Sequence, residues 1–138
     1  MKANVGGCCS TTVWSILEVS PYIHKEGNYA ARNKNRVVKL RYRKIFWTDW
    51  DRKNPKIEWA NADGTARAIF LQGEPDSLPN SLTIDYDTEQ LCYADAGTKK
   101  IECVDIDTKV RRTVATNCTY PFGITVTDKH IYWSDWIT

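Results

Sequence analysis

The chain has 138 residues, 42% apolar and 12% aromatic, enough for one ordinary domain with a β-rich core. Its formal net charge of +2 is unevenly divided: residues 1–44 carry nine Lys/Arg against Glu18 and Glu26, net +7, whereas residues 45–138 are net −5. The mildly acidic larger part argues against nucleic acid as a partner, and the lack of any apolar run as long as about 18 residues excludes a transmembrane helix in this chain.

The N-terminal stretch has one Lys and then an apolar run, Ala3 to Val13, broken by Asn, Ser and Thr. That is not a convincing signal peptide, because it lacks a continuous apolar region and a clear cleavage site. Residues 1–44 read as a basic, partly disordered leader in which only Arg36–Tyr42 has strand character, and residues 45–138 read as the folded unit. Beyond the leader, strands are predicted at about 45–49, 56–62, 65–71, 80–86, 90–95, 100–106, 110–115, 122–127 and 130–135. Val, Ile, Thr and aromatics fill them, and Gly, Pro, Asn and Asp separate them. Asp63-Gly64 predicts a two-residue hairpin turn with positive φ at both positions, and Gly97-Thr98 a two-residue turn with Gly first. The helix period does not recur.

Three stretches repeat: Ile45-Phe46-Trp47-Thr48-Asp49, Leu91-Cys92-Tyr93-Ala94-Asp95 and Ile131-Tyr132-Trp133-Ser134-Asp135. Their closing Asp residues lie 46 and 40 positions apart. Lys56-Ile57-Glu58 returns as Lys100-Ile101-Glu102, Asp63 and Arg67 as Asp107 and Arg111, and Pro79–Thr83 as Pro121–Thr125. A repeat near this length with four short strands per unit is a propeller blade. The fold class is therefore all-β: a partial propeller of two to three antiparallel four-stranded blades. Trp47, Tyr93 and Trp133 are assigned to the packed strands, and Asp49, Asp95 and Asp135 to holding nearby backbone at the strand ends. Closed propellers use about four to eight blades, so the chain is expected to be part of a larger protein or an unusual isoform.

At these residues the chain resembles the LDL-receptor class B, or YWTD, repeat. The generic likeness is carried by Phe46-Trp47-Thr48-Asp49, Asn54-Pro55-Lys56-Ile57-Glu58, Asp63-Gly64-Thr65 and Tyr132-Trp133-Ser134-Asp135. A more specific likeness to the nidogen family rests on Leu91–Thr98, Glu102-Cys103 and Tyr120-Pro121-Phe122. It spans about residues 45–136. The inner strand containing Pro that this family places before Ile45 is missing from the sequence there. The resemblance implies a six-bladed propeller in an extracellular basement-membrane glycoprotein, flanked by EGF-like modules in the full-length protein. Its implied role is to bind laminin and support cell–matrix adhesion. Two other roles are weighed: a ligand-binding propeller of a lipoprotein receptor or Wnt co-receptor, and a calcium-dependent propeller hydrolase. The hydrolase needs acids repeated on the inner strands. Asn80–Tyr86 and Phe122–Thr127 do not supply them.

Enzyme signals are poor. His24 and His130 are the two His residues, neither near a nucleophile pattern, and phosphate-binding Gly loops are missing. No catalytic residue, metal ligand or cofactor site is assigned. Asp85-Tyr86-Asp87-Thr88-Glu89 resembles the start of a calcium loop but lacks its Gly and closing Glu, so it reads as a solvated turn. A tight hairpin at Gly97-Thr98 places Cys92 directly opposite Cys103, within disulfide reach, whereas Cys8, Cys9 and Cys118 have no assignable partners. Asn117-Cys118-Thr119 is an N-glycosylation acceptor triplet. Antiparallel alternation brings Trp50, Arg52, Asn80, Lys99, Lys100, Phe122 and Trp136 to one end of the propeller. There they form the candidate partner-binding face, since aromatic and Arg anchors dominate interface energetics.

Overall fold

The computed structural model describes residues 13–19, 44–127 and 129–136. The strands, in chain order, are β1 (Val13–Val19), β2 (Lys44–Asp49), β3 (Lys56–Asn61), β4 (Ala68–Gln72), β5 (Pro79–Asp85), β6 (Gln90–Asp95), β7 (Lys100–Asp105), β8 (Arg111–Ala115), β9 (Pro121–Val126) and β10 (Ile131–Asp135). They form three antiparallel sheets, ordered β1-β2-β3-β4, β5-β6-β7-β8 and β9-β10. Two four-stranded blades are thus followed by two strands of a third, and the first strands of successive blades adjoin one another.

β1 is a departure from the expected layout. Residues 13–19 fall in the stretch read as leader, yet Leu17 pairs with Phe46 and Glu18 with Ile45. They occupy the place of the inner strand that is missing just before Ile45. The predicted strand at 36–42 lies outside the described residues.

The second blade is buried on both faces, which explains its strands without alternation, whereas in β10 Trp133, also assigned to the packed strands, is exposed because no blade covers it among the described residues. In β6, Leu91, Cys92, Tyr93, Ala94 and Asp95 are all buried. Toward the first blade, Leu91, Tyr93 and Val104 pack against Phe46, Ile57 and Phe70. Toward the third, Ala94 and Ile101 pack with Cys118, Ile124 and Ile131. Phe46 and Phe70 meet edge to face with ring centroids 5.1 Å apart. Trp47, assigned to the packed side, is only half-buried, and the fully buried member of its pair is Phe46.

The hairpins differ from the two-residue turns expected. Only Gly64 of the Asp63-Gly64 pair has positive φ, +84°, and its N–H donates to Asn61 O at 2.8 Å. This is a three-residue arrangement closed by a left-handed Gly. Around Gly97 the last paired residues are Asp95 and Lys100, and the left-handed residue is Lys99, φ 58°. The reason is a repeated Asp. Asp85 accepts the N–H groups of Asp87 and Thr88, Asp95 those of Gly97 and Thr98, and Asp105 those of Asp107 and Thr108. A carboxylate satisfying two successive N–H groups holds a wider loop, and its last residue, Glu89, Lys99 or Lys109, takes the left-handed conformation. The wider loop keeps the same register. Cys92 still pairs with Cys103, and the two are disulfide-bonded with Cα atoms 3.9 Å apart. Asp85 therefore belongs to a turn-fixing series, as its reading as a solvated turn required.

Candidate protein-binding face

The end toward which β2, β6 and β10 run is built by the three Asp residues that close those strands. Asp49 accepts from Asp51 N at 3.0 Å and pairs with Lys56 Nζ at 2.7 Å. Asp95 also accepts Leu78 N at 2.8 Å and the Ser77 hydroxyl, and so ties the hairpin of the second blade to the chain entering it. Asp135 accepts Tyr120 N at 2.9 Å. Each therefore joins a strand end to nearby backbone. Gly97 lies at the tightest point. A Cβ there would come 1.7 Å from Asp76 O, 2.8 Å from Asp76 C and 2.9 Å from Leu78 N.

These anchors present the predicted face residues unequally. Arg52 and Lys99 are exposed. Phe122 and Trp136 are 44% and 59% exposed, with ring centroids 5.7 Å apart, and the Tyr120 ring lies 6.1 Å from that of Trp136. Phe122, Ser134, Asp135 and Trp136 line an open hollow at this end. Lys100 is held by Glu74 at 3.4 Å. Trp50 is half-buried and its indole N–H donates to Pro79 O at 2.9 Å. Asn80 is buried, and its Nδ2 donates to Pro121 O at 2.8 Å, bridging β5 to β9. Trp50 and Asn80 thus brace the face from beneath, while Arg52, Lys99, Phe122 and Trp136 project from it. Tyr120, beside Trp136, adjoins this candidate face and is not among the residues the sequence singled out for it. Its signal was its position next to Pro121, the residue that opens β9.

A second polar arrangement repeats, on the face of the first blade turned away from the second and, one repeat later, between the first and second blades. Trp47 Nε1 donates to Glu58 at 3.1 Å, and Arg67 donates to the same carboxylate at 2.9 and 3.2 Å. One blade later the Tyr93 hydroxyl donates to Glu102, and Arg111 Nη2 donates to Glu102 at 2.8 Å and to the Tyr93 oxygen at 2.7 Å. Thr113 completes the set at 3.2 Å, and Glu74 meets Arg111 at 3.4 Å. Burial by itself would raise the Glu102 carboxyl. The hydrogen bonds from Tyr93 and Arg111 and the Arg111 charge overcome it and hold the group below its usual range. Burial, followed by the bond to Glu102, pushes the Tyr93 phenol well up, so it stays a donor. The Tyr93–Glu102 copy is a buried brace, whereas Arg67 of the first copy is exposed. Among the described residues no cluster of His, Cys, Asp or Glu could hold a metal ion.

Comparison with known proteins agrees with this geometry. Residues 43–86 match the model of the low-density lipoprotein receptor repeat class B. Nidogen of Drosophila melanogaster is 50% identical over 89 residues, covering 64% of this chain and 7% of that protein. The vitellogenin receptor of Solenopsis invicta is 40% identical over 94 residues, 67% of this chain and 5% of the receptor. The chain thus spans a small part of the relatives it matches. Among solved structures, a chain in the crystal structure of a nidogen/laminin complex superposes with a TM-score of 0.62 at 42% identity. That match covers 67% of this chain and 35% of the other. Two complete blades, the repeated strand-closing Asp residues and this kinship together make the region from about residue 45 to 136 a nidogen-like segment of an LDL-receptor class B repeat propeller.

Proposed function

We propose that this chain is an extracellular protein-binding propeller segment of a nidogen-like basement-membrane linker, and that its partner is a laminin short-arm module. The observations that carry the reading are the 50% identity to Drosophila nidogen and the 42% identity to a chain in the structure of a nidogen/laminin complex. The partner docks on the end bearing Arg52, Lys99, Phe122 and Trp136. Two exposed aromatics and two exposed cations at the same end offer both apolar anchoring area and charge-assisted hydrogen bonds. The Cys92–Cys103 disulfide fits an oxidising compartment. The vitellogenin receptor match favours a second reading, a lipoprotein-receptor-type propeller using the same face.

Titration of the oxidised chain with a laminin short-arm fragment and, separately, with a vitellogenin-type lipoprotein distinguishes the two. Arg52→Ala and Phe122→Ala should each weaken laminin binding roughly thirtyfold, equivalent to about 2 kcal/mol. Tyr86→Ala removes an exposed aromatic at the opposite end and should leave binding unchanged. It is a better control than Lys109, whose ammonium lies 3.8 Å over the Phe70 ring and belongs to the packing between blades. Binding of the lipoprotein alone selects the second reading, and loss only in Tyr86→Ala places the partner on the other end.

A further inference from the structure

The one Asn-x-Ser/Thr triplet of the sequence, Asn117-Cys118-Thr119, lies in the connection from β8 to β9. That connection is pinned on both sides of the triplet's last residue, Thr119. Cys118 N donates to Lys99 O at 3.1 Å, and the Cys118 side chain is buried with Ala94 and Ile101. Tyr120 N donates to Asp135 Oδ1, and Tyr120 O accepts Trp136 N at 2.8 Å. Asn117 and Thr119, on either side of the Cys118 anchor, are exposed. Asn117 has φ 58°, a left-handed conformation that turns the chain outward, and neither side chain makes a hydrogen bond among the described residues. The middle residue is thus committed to the core while the two recognised by a glycosyl transferase face solvent.

We propose that Asn117 is an N-glycosylation site, and that its glycan is rooted beside Lys99 on the edge of the candidate binding face. The co-substrate class is a lipid-linked oligosaccharide diphosphate of the secretory pathway. The Asn117 carboxamide nitrogen forms a bond to the anomeric carbon of the sugar, and the bond from that carbon to the diphosphate oxygen breaks. The lipid diphosphate leaves with the electron pair, and the amide nitrogen loses one proton to a base. No oxidation or reduction occurs. Thr119 supplies the hydroxyl that the transferase reads. In the folded product the sugar projects from an exposed, left-handed residue, so it displaces no packed side chain. Peripheral placement follows from the topology, because β8 is the outer strand of its blade and the connection runs from there to the first strand of the next. This inference rests on the extracellular reading above.

The test is secretion of the full chain from insect cells behind a cleavable signal sequence, with glycopeptide mapping and mapping of the Cys92–Cys103 link in the same material. The expected result is an endoglycosidase-sensitive mobility shift that is present in the wild type and in Cys118→Ala. It should be lost in Asn117→Gln and in Thr119→Ala, with the glycan mapped to Asn117. Both loss variants are read on total cell-associated and secreted protein, so a folding defect does not hide the modification. Unmodified Asn117 in material whose Cys92–Cys103 link is formed overturns the site while leaving the extracellular reading intact. Unmodified Asn117 together with two free thiols overturns both. A shift that survives Asn117→Gln shows that the carbohydrate is attached elsewhere and also overturns the proposal.

Discussion

Replacing Gly97 by Ala should damage this fold far more than the same change at Gly64. The conformational argument alone points the other way. Gly64 has φ +84°, where an L residue is strained, whereas Gly97 does not have positive φ. Space decides the order. At Gly64 an added Cβ meets nothing within 4 Å, so the cost is the left-handed penalty, about 1 kcal/mol. At Gly97 the Cβ would be 1.7 Å from Asp76 O and 2.9 Å from Leu78 N, both backbone atoms that no rotamer change can move. Relief requires the hairpin and the chain entering β5 to separate by about 1 Å or more. The bonds spanning that gap then fail: Ala96 N to Leu78 O at 3.0 Å, and Leu78 N and Ser77 Oγ to the Asp95 carboxylate. One neutral bond at about 1 kcal/mol and two to a buried carboxylate at about 1.5–3 kcal/mol each sum to roughly 4–7 kcal/mol. Partial retention of these bonds puts the net loss near 4 kcal/mol. With a urea slope of about 2 kcal/mol/M, the midpoint falls by about 2 M for Gly97→Ala and about 0.5 M for Gly64→Ala. Tryptophan fluorescence of the disulfide-intact chain, at one fixed protein concentration, reads both midpoints. Equal shifts, or a larger one at Gly64, would refute the close-approach argument.

The buried brace gives two more expectations. Tyr93→Phe removes a donor to Glu102 and an acceptor for Arg111 Nη2, so it should cost about 2–3 kcal/mol in urea unfolding; a loss within about 0.5 kcal/mol of zero would show that the hydroxyl is not braced. Glu102 titrates below its unfolded value, so its contribution is complete above about pH 4.3 and is lost as pH falls through the folded value. Glu102→Gln should therefore flatten the fall in stability below about pH 4.3 relative to the wild type, and an unchanged slope in acid melts would remove the carboxylate from the account.

Features set by neighbouring strands are legible in the amino-acid order alone. Strand positions from Lys44 onward follow from runs of β-branched and aromatic residues between turn formers, and the Cys92–Cys103 pairing follows from hairpin register. Register survived even though the loop at Gly97 was four residues wide, because widening a loop symmetrically leaves opposed pairs unchanged. Contacts between blades and across long chain separations were decided only in three dimensions. β1 reaches β2 across residues 20–43, and no local pattern encodes that choice. The exposure of the face residues also needed the tertiary structure. Asn80 looked like a contact residue by loop parity, yet the neighbouring blade's Pro121 O takes its amide and buries it. Trp47 and Tyr93 occupy the same repeat position, but Tyr93 is sealed between two blades while Trp47 is half-buried. Periodicity specifies which way a side chain points, and the packing of one blade on the next specifies what it meets there.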